Sequence, residues 1–300
     1  MTAPAPIRID ARVRDRLLAR FGNTLEPWLD ELPSLVAALA ERWHLELRSP
    51  VSRGSVAVVI RCRAGDGRPL MLKLSPDRER LANEAAALHS WRTPRVPLVL
   101  EHDDGAGALL LEAVEPGRSL LEPHRDLPPE TLAELLRTLH STGTADPRFP
   151  PLRQRVVYLY ESWARARDAD PSLLKLVSPA IFRRGFEAAV RLAEEPAPTV
   201  LLHGDLTPAN VLEGGVERGL VAIDPAPCIG DPAFDAVDLL LWRVDDIDAV
   251  AACADVVAAQ SGMDASRLLA WCAAFAGMAV LDAGSAVDAL LKLAVDGPPP

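Results

Sequence analysis

His203-Gly204-Asp205-Leu206-Thr207-Pro208-Ala209-Asn210-Val211-Leu212, followed by Leu220-Val221-Ala222-Ile223-Asp224-Pro225, is the stretch around which this chain is organised. An aspartate, an asparagine five residues later and a second aspartate closing a short β-branched run has the spacing of a phosphoryl-transfer site. The first carboxylate, Asp205, can take or orient the proton of an attacking hydroxyl. Asn210 and Asp224 supply hard oxygen ligands to a Mg²⁺ ion that bridges nucleotide phosphates. The apolar runs Val200-Leu201-Leu202 and Leu220 to Ile223 read as strands holding the loop from both sides. A capped surface loop, the plain alternative, has no need of this combination.

Upstream, the chain alternates turn signals with apolar runs. Asp10 to Phe21 and Leu32 to Trp43 have helical periodicity, with Pro33 placed at a helix start where its missing donor matters least. Strand runs follow at Leu45-Glu46-Leu47, Val56 to Cys62 and Leu70-Met71-Leu72-Lys73-Leu74. Ser52-Arg53-Gly54-Ser55 lies between the first two, so Ser52, Gly54 and Ser55 are candidates for folding backbone amides over phosphates, although one glycine is also what a plain hairpin turn would show. Lys73 points away from Leu72 and Leu74. The helix expected over Arg78 to Trp91 places Leu81, Glu84, Ala85 and Leu88 on one stripe. A carboxylate on an apolar stripe demands a partner, and Lys73 is the natural one, with the lysine then placed to hold α- and β-phosphates.

Val96 to Glu101 and Ala108 to Val114 read as two more strands around Asp103-Asp104-Gly105. The second runs into Glu115-Pro116-Gly117, a natural hinge over 112–117 where backbone groups near Glu112 and Val114 can meet an adenine edge; an ordinary strand end is the competing reading. Beyond the hinge the pattern turns helical: Pro128 to Ser141, Val156 to Arg167 after a proline-rich loop over Thr142 to Arg155, and Pro179 to Glu194. After the central loop come Phe234 to Arg243, Ile247 to Ser261, Ser266 to Leu281 and Ala286 to Val295.

Composition narrows the class. In 300 residues, 49% hydrophobic and 25% charged is ordinary for a soluble globular chain, and the four cysteines stand far apart with no C-x-x-C, which argues for a reducing compartment and against a zinc or disulfide scaffold. No basic start followed by an apolar core marks a signal peptide, and the apolar stretch Leu268 to Leu281 is too short to span a bilayer, so a cytoplasmic protein without a membrane partner is expected. A net charge of −10 disfavours nonspecific nucleic-acid binding and suits a small cationic substrate.

The order of strands, helix, strands, hinge, helices, H-G-D loop and aspartate strand resembles the aminoglycoside phosphotransferase family, and within it the streptomycin 6-phosphotransferase and hydroxyurea phosphotransferase branch. The residues that carry the resemblance are Leu202 to Leu212, Ala222-Ile223-Asp224-Pro225 and Ile229-Gly230-Asp231-Pro232-Ala233-Phe234-Asp235, with Leu72-Lys73-Leu74 and Leu109-Leu110-Leu111-Glu112 leading up to them. The resemblance implies an α+β, protein-kinase-like two-lobe fold: an antiparallel-sheet lobe over 1–113 and a mainly helical lobe over 114–300. It implies ATP as phosphoryl donor with GTP left open, Mg²⁺ on Asn210 and Asp224, Asp205 as the catalytic carboxylate, Lys73 with Glu84 on the phosphates, and a monomer or dimer acting on a small-molecule acceptor. His203 is expected to brace the loop and Asp231 to anchor it.

Gly204 stands where protein kinases carry the arginine that reads activation-loop phosphorylation, and only six residues separate Asp224 from Asp231, with no A-P-E after them. That leaves no room for a peptide-docking segment. For the acceptor, Asp235 and Asp238 are expected as an acidic pair on one helix face, with Trp242 and Trp271 as further lining; Asp245, Asp246 and Asp248 fit better as helix caps. Two other readings compete. A metallophosphoesterase would need clustered histidines, and the other five (His44, His89, His102, His124, His140) are scattered. A nucleotide-binding pseudoenzyme should have lost Lys73, Asp205, Asn210 or Asp224, and all four are present.

Overall fold

A computed structural model describes residues 9–51, 56–122, 127–242, 246–284 and 287–297. Ser52, Gly54 and Ser55 of the expected phosphate loop, and Asp245, lie outside the described residues. The chain forms two compact units, residues 1–89 with 97–114, and residues 90–96 with 115–300.

The first unit opens with helices α1 (Ala11–Phe21) and α2 (Glu26–Arg42). Asp10 caps α1 by accepting the Arg12 N–H at 2.8 Å. Helix α2 starts six residues earlier than Leu32 because Pro27 occupies its first turn; Pro33 therefore falls inside the helix and not at its start. Five strands follow around one helix: β1 (Glu46–Pro50), β2 (Val58–Arg63), β3 (Pro69–Leu74), α3 (Arg78–Ser90), β4 (Val99–Asp103) and β5 (Ala108–Glu112). They pair antiparallel in the order β1-β2-β3-β5-β4.

The strand period decides which faces are buried. Val58, Ile60, Cys62, Leu70, Leu72, Leu74, Ala108 and Leu110 form one apolar core with Val13, Leu17, Leu29, Leu32 and Val36 of the first two helices. Burial pushes the Cys62 thiol up to about 11, so it behaves as a small apolar group. The other face carries Val59, Lys73 and Leu109 in register, and α3 supplies Glu84 to it.

The second unit is mainly helical: α4 (Pro129–Thr142), α5 (Leu152–Ala169), α6 (Pro171–Leu176) and α7 (Pro179–Glu194), then α9 (Val237–Leu241), α10 (Ile247–Ser261), α11 (Ala265–Ala283) and α12 (Asp288–Asp296). Between the two helical groups lie β6 (Val200–Leu202), β7 (Val211–Glu213), the one-turn α8 (Gly215–Arg218), β8 (Leu220–Ala222) and β9 (Cys228–Gly230). The strands form two short antiparallel ladders, β6 with β9 and β7 with β8. Helix α11 is long and apolar enough to cross a bilayer, yet here it is a core helix with Leu268, Trp271, Cys272 and Val280 fully buried. Its Phe275 meets Tyr160 and Phe234 edge-on, Tyr160 meets Phe182 in the same way, and the Tyr160 hydroxyl donates to Ala274 O at 2.6 Å.

Two boundaries differ from the sequence reading. Segment 90–96 belongs to the second unit, because Trp91 Nε1 donates to Leu139 O (3.1 Å), Arg95 pairs with Glu134 and the Ala222 N–H donates to Arg95 O (2.8 Å). Helix α5 starts at Leu152, four residues before Val156. Pro150 and Pro151 fix its entry and Leu152 is buried there, so Arg155 belongs to a helix and not to a loop.

Candidate active site

The H-G-D loop follows β6 and is held from beneath by Asp235. Its Oδ2 accepts the His203 N–H at 2.8 Å and its Oδ1 accepts the Gly204 N–H at 2.9 Å; the His140 ring Nε2 lies 3.1 Å from Oδ2. Burial by itself would raise the Asp235 carboxyl, but the His140 hydrogen bond and the charges and amides around it hold it below the ordinary range. Gly204 has φ +73°, and a Cβ there would stand 2.1 Å from Ala226 O, so a side chain is excluded at the position where protein kinases carry arginine.

His203 is fully buried and stacks on Trp91 with centroids 6.2 Å apart. Its Nε2 lies 2.9 Å from Ile223 O, a pure acceptor, so that nitrogen carries the proton; Nδ1 then faces the Asp205 N–H at 3.4 Å. Burial lowers its pKa, against the pull of Asp235 and Asp205. The ring is a neutral brace between the loop and the strand after it.

Asp205 is half-buried, with 30% of its side chain accessible, whereas His203 and Gly204 before it are buried. Among the described residues each carboxylate oxygen has one protein donor: Arg155 Nη2 at 2.7 Å from Oδ1 and Asn210 Nδ2 at 3.2 Å from Oδ2. Asn210 Nδ2 also donates to Asp205 O at 2.8 Å, while the Thr207 N–H donates to the same carbonyl. With its nitrogen committed to Asp205, the Asn210 amide presents its oxygen elsewhere. The β7–β8 ladder pairs Val211 with Ala222, and the Ile223 N–H donates to Asn210 O, which brings Asp224 beside Asn210. Asp224 has φ +58°, a left-handed conformation uncommon outside glycine and the kind of local strain that concentrates at functional sites.

An amide oxygen and a carboxylate on residues that the ladder brings close suit Mg²⁺, which keeps few protein ligands and takes the remainder from phosphate and water. Among the described residues no three His, Cys, Asp or Glu side chains gather into a self-sufficient metal cluster, so an ion held here would draw on substrate oxygens. Asp231 is not a third ligand. It accepts from the Ala233 N–H (3.0 Å), Arg267 Nε (2.5 Å) and Trp271 Nε1 (2.7 Å), and it anchors the segment after β9.

In the first unit Lys73 Nζ lies 2.7 and 2.6 Å from the two Glu84 carboxylate oxygens, with side chains 4% and 3% exposed. At the end of β5, the Glu112 N–H donates to Leu98 O and the Ala113 N–H to Pro69 O. The Glu112 N–H is therefore spent within the first unit. Among the described residues no backbone carbonyl accepts the N–H of Val114.

The acceptor candidates separate. Asp235 is withdrawn as a lining residue, because its carboxylate is completely buried under the loop amides. Trp271 is withdrawn as well, since its ring is buried in the α11 core and its nitrogen is spent on Asp231. The expected Asp235–Asp238 pair does not form: Asp235 sits in the 3-10 turn before α9 and faces inward, while Asp238 in the first turn of α9 faces outward. Asp238 is accessible yet crowded. Loss of solvation by the surrounding protein, followed by the charges of Asp205 and Asp282, pushes its carboxyl up to about 7. Trp242 is half-buried at the end of α9. Asp246 stands at the start of α10 without donating or accepting a side-chain capping bond, and Asp248 lies in its first turn.

Three residues of the site were not singled out from sequence. Arg155 fell in an assumed loop, although Leu152, Val156 and Tyr160 at four-residue spacing mark the helix that carries it. His140 and Trp91 lie on helical stripes that look like ordinary core.

A family model described as aminoglycoside/hydroxyurea antibiotic resistance kinase matches residues 42–284. The chain is 34% identical over 229 residues to streptomycin 6-kinase of Streptomyces griseus, covering 75% of this chain and 70% of that protein. It is 30% identical over 279 residues to hydroxyurea phosphotransferase of Kitasatospora aureofaciens, covering 89% and 77%. Among solved structures, choline kinase LicA from Streptococcus pneumoniae aligns with TM-score 0.57 at 16% identity over 88% of this chain and 98% of that one. Macrolide 2′-phosphotransferase MphH from Brachybacterium faecium aligns with TM-score 0.53 at 19% identity, over 88% and 97%. These two likenesses establish a shared protein-kinase-like fold.

Proposed function

The chain belongs to the aminoglycoside/hydroxyurea antibiotic resistance kinase family, and on that premise we propose that it transfers the γ-phosphoryl group of ATP to a hydroxyl of a small cationic antibiotic, with the 6-hydroxyl of streptomycin as first acceptor. The observation that carries this reading is the doubly held Asp205 carboxylate beside Asn210 and Asp224, in a chain 34% identical to a streptomycin 6-kinase.

In this reading the acceptor oxygen forms a bond to the γ-phosphorus as the bond to the β-phosphate oxygen breaks, and ADP leaves. Asp205 accepts a hydrogen bond from the acceptor hydroxyl, aims its lone pair and receives the proton as the new ester forms. Asn210 and Asp224 would hold Mg²⁺, which supplies charge neutralisation on the phosphates. Lys73, fixed by Glu84, would contribute a cation to nucleotide phosphates, and the Val114 N–H offers a donor to a nucleobase. Asp238, ionised above about pH 7, gives a cationic acceptor a counter-charge, and Trp242 at the end of the same helix is a candidate for its rim. The reaction draws on cytosolic ATP.

Hydroxyurea is the second acceptor to test, because the hydroxyurea phosphotransferase relative matches the larger share of the chain, 89%. ADP release is measured over streptomycin, other aminocyclitols and hydroxyurea, with ATP or GTP as donor, and each product is weighed for one added phosphoryl group. A gain of one phosphoryl group on streptomycin supports the reading. Turnover of hydroxyurea alone moves the acceptor assignment, and ATP binding without turnover of any hydroxylated compound rejects it.

A further inference from the structure

We propose that Arg155 is a positioning residue for phosphoryl transfer, a two-pronged clamp that fixes the carboxylate of Asp205 relative to its own backbone. The proposal rests on Asp205 being the catalytic carboxylate. Arg155 spends one prong on the loop and one on the reacting side chain: Nε donates to Gly204 O and Nη2 to Asp205 Oδ1, both at 2.7 Å. These acceptors belong to successive residues, so the guanidinium spans the peptide link between them. With Asn210 Nδ2 on the opposite oxygen, both ends of the carboxylate are tied and its rotation about Cβ–Cγ is blocked.

The clamp is itself anchored. Helix α5 begins against β9, where the Ile229 N–H donates to Pro150 O at 2.9 Å and Leu152 packs so closely over Gly230 that a Cβ there would approach it to 2.5 Å. Strand β9 is the ladder partner of β6, which delivers the loop. The arginine and the loop it grips therefore ride on one pair of strands. Its side chain is only 9% exposed and its guanidinium lies over the Tyr158 ring at 5.3 Å, so it is held in place and not swinging in solvent. A planar fork with several fixed donors can bridge two acceptors at once; a lysine ammonium is a point charge on a flexible stem and cannot fix both angles.

The test compares Arg155→Lys, Arg155→Met and Arg155→Gly with the parent enzyme and with Asp205→Asn, on the acceptor that the parent turns over. Misplacing a reacting group by about an ångström costs on the order of a hundredfold in rate, so Arg155→Met is expected to lose roughly 10- to 100-fold in kcat with KM for ATP within about twofold. Arg155→Lys should recover only part of this. Guanidinium ion at millimolar concentration should raise kcat of Arg155→Gly and leave Asp205→Asn unchanged. In the Asp205→Asn background, adding Arg155→Met should bring little further loss, because the clamp has lost its charged partner.

The proposal is overturned if Arg155→Met keeps kcat within about twofold, if its loss follows thermal stability and guanidinium does not restore turnover, or if acceptor KM rises while kcat stands. Full turnover by Asp205→Asn would instead remove the assignment of Asp205, a different failure from that of the clamp.

Discussion

Asp235→Asn isolates the support of the catalytic loop. The native carboxylate gives Oδ1 to the Gly204 N–H and Oδ2 to the His203 N–H, with no water to take over, since its side chain has no accessible surface. Asparagine keeps the shape but has one accepting oxygen. Whichever way the amide turns, one backbone N–H meets an NH₂ group. A buried donor left without an acceptor costs about 1–3 kcal/mol, and the remaining bonds lose the roughly twofold strength that the charge provides. The expected total is about 2–4 kcal/mol. At about 2–4 °C per kcal/mol for a domain of this size, Tm falls by roughly 5–15 °C. Turnover falls too, because Gly204 and Asp205 follow directly from the two released amides. Calorimetry with steady-state kinetics measures both. The acid side carries a second signature. A folded pKa held below the ordinary 3.8 gives stability that is complete above that value and disappears as the pH falls below it, so the gap in Tm between parent and variant should narrow on acidification below about pH 4. If Asp235→Asn leaves Tm unchanged and raises only acceptor KM, the carboxylate touches substrate and its placement under the loop is wrong.

Lys73→Met should weaken ATP binding and also take from buried Glu84 the ammonium it holds, destabilising the first unit by about 3–5 kcal/mol; Lys73→Met/Glu84→Leu should regain most of the stability in urea melts and none of the ATP affinity. Asp238 is raised to about 7, so KM for a cationic acceptor is expected to fall as pH climbs from 6 to 8 and to be flat in Asp238→Asn, read from initial rates in buffers of constant ionic strength. The same raised value means that ionising Asp238 removes folding stability as the pH rises from its ordinary 3.8 towards 7, the opposite sign to Asp235. Trp271→Phe keeps the ring and removes the Nε1 bond to Asp231; Tm should drop by a few degrees, about 1–2 kcal/mol, with acceptor KM unchanged, and a rise in acceptor KM would return Trp271 to the acceptor site.

The spacing of Asp205, Asn210 and Asp224 and the lysine–glutamate pair are legible in the chain because each rests on short-range rules. A strand of period two and a helix of period 3.6 fix which way Lys73 and Glu84 point, and a buried carboxylate must find a cation. Those rules also give the order of elements and so the family. They cannot rank the acidic residues after the loop, since Asp235 and Asp238 look alike as letters three apart. Only the turn of chain between them, a 3-10 segment passing into α9, sends one under the loop amides and leaves the other facing outward. Trp271 looks like a ligand platform in sequence and becomes core because α11 is surrounded. Arg155 lies fifty residues before Asp205, and no periodicity can predict that contact. The docking of α5 on β9 creates it, by closing a long loop whose entropy is offset by burial spread over the whole helical unit. From its sequence alone the protein is a kinase of small molecules; the tertiary structure selects which carboxylates hold up its loop, which one faces solvent, and which arginine grips the one that reacts.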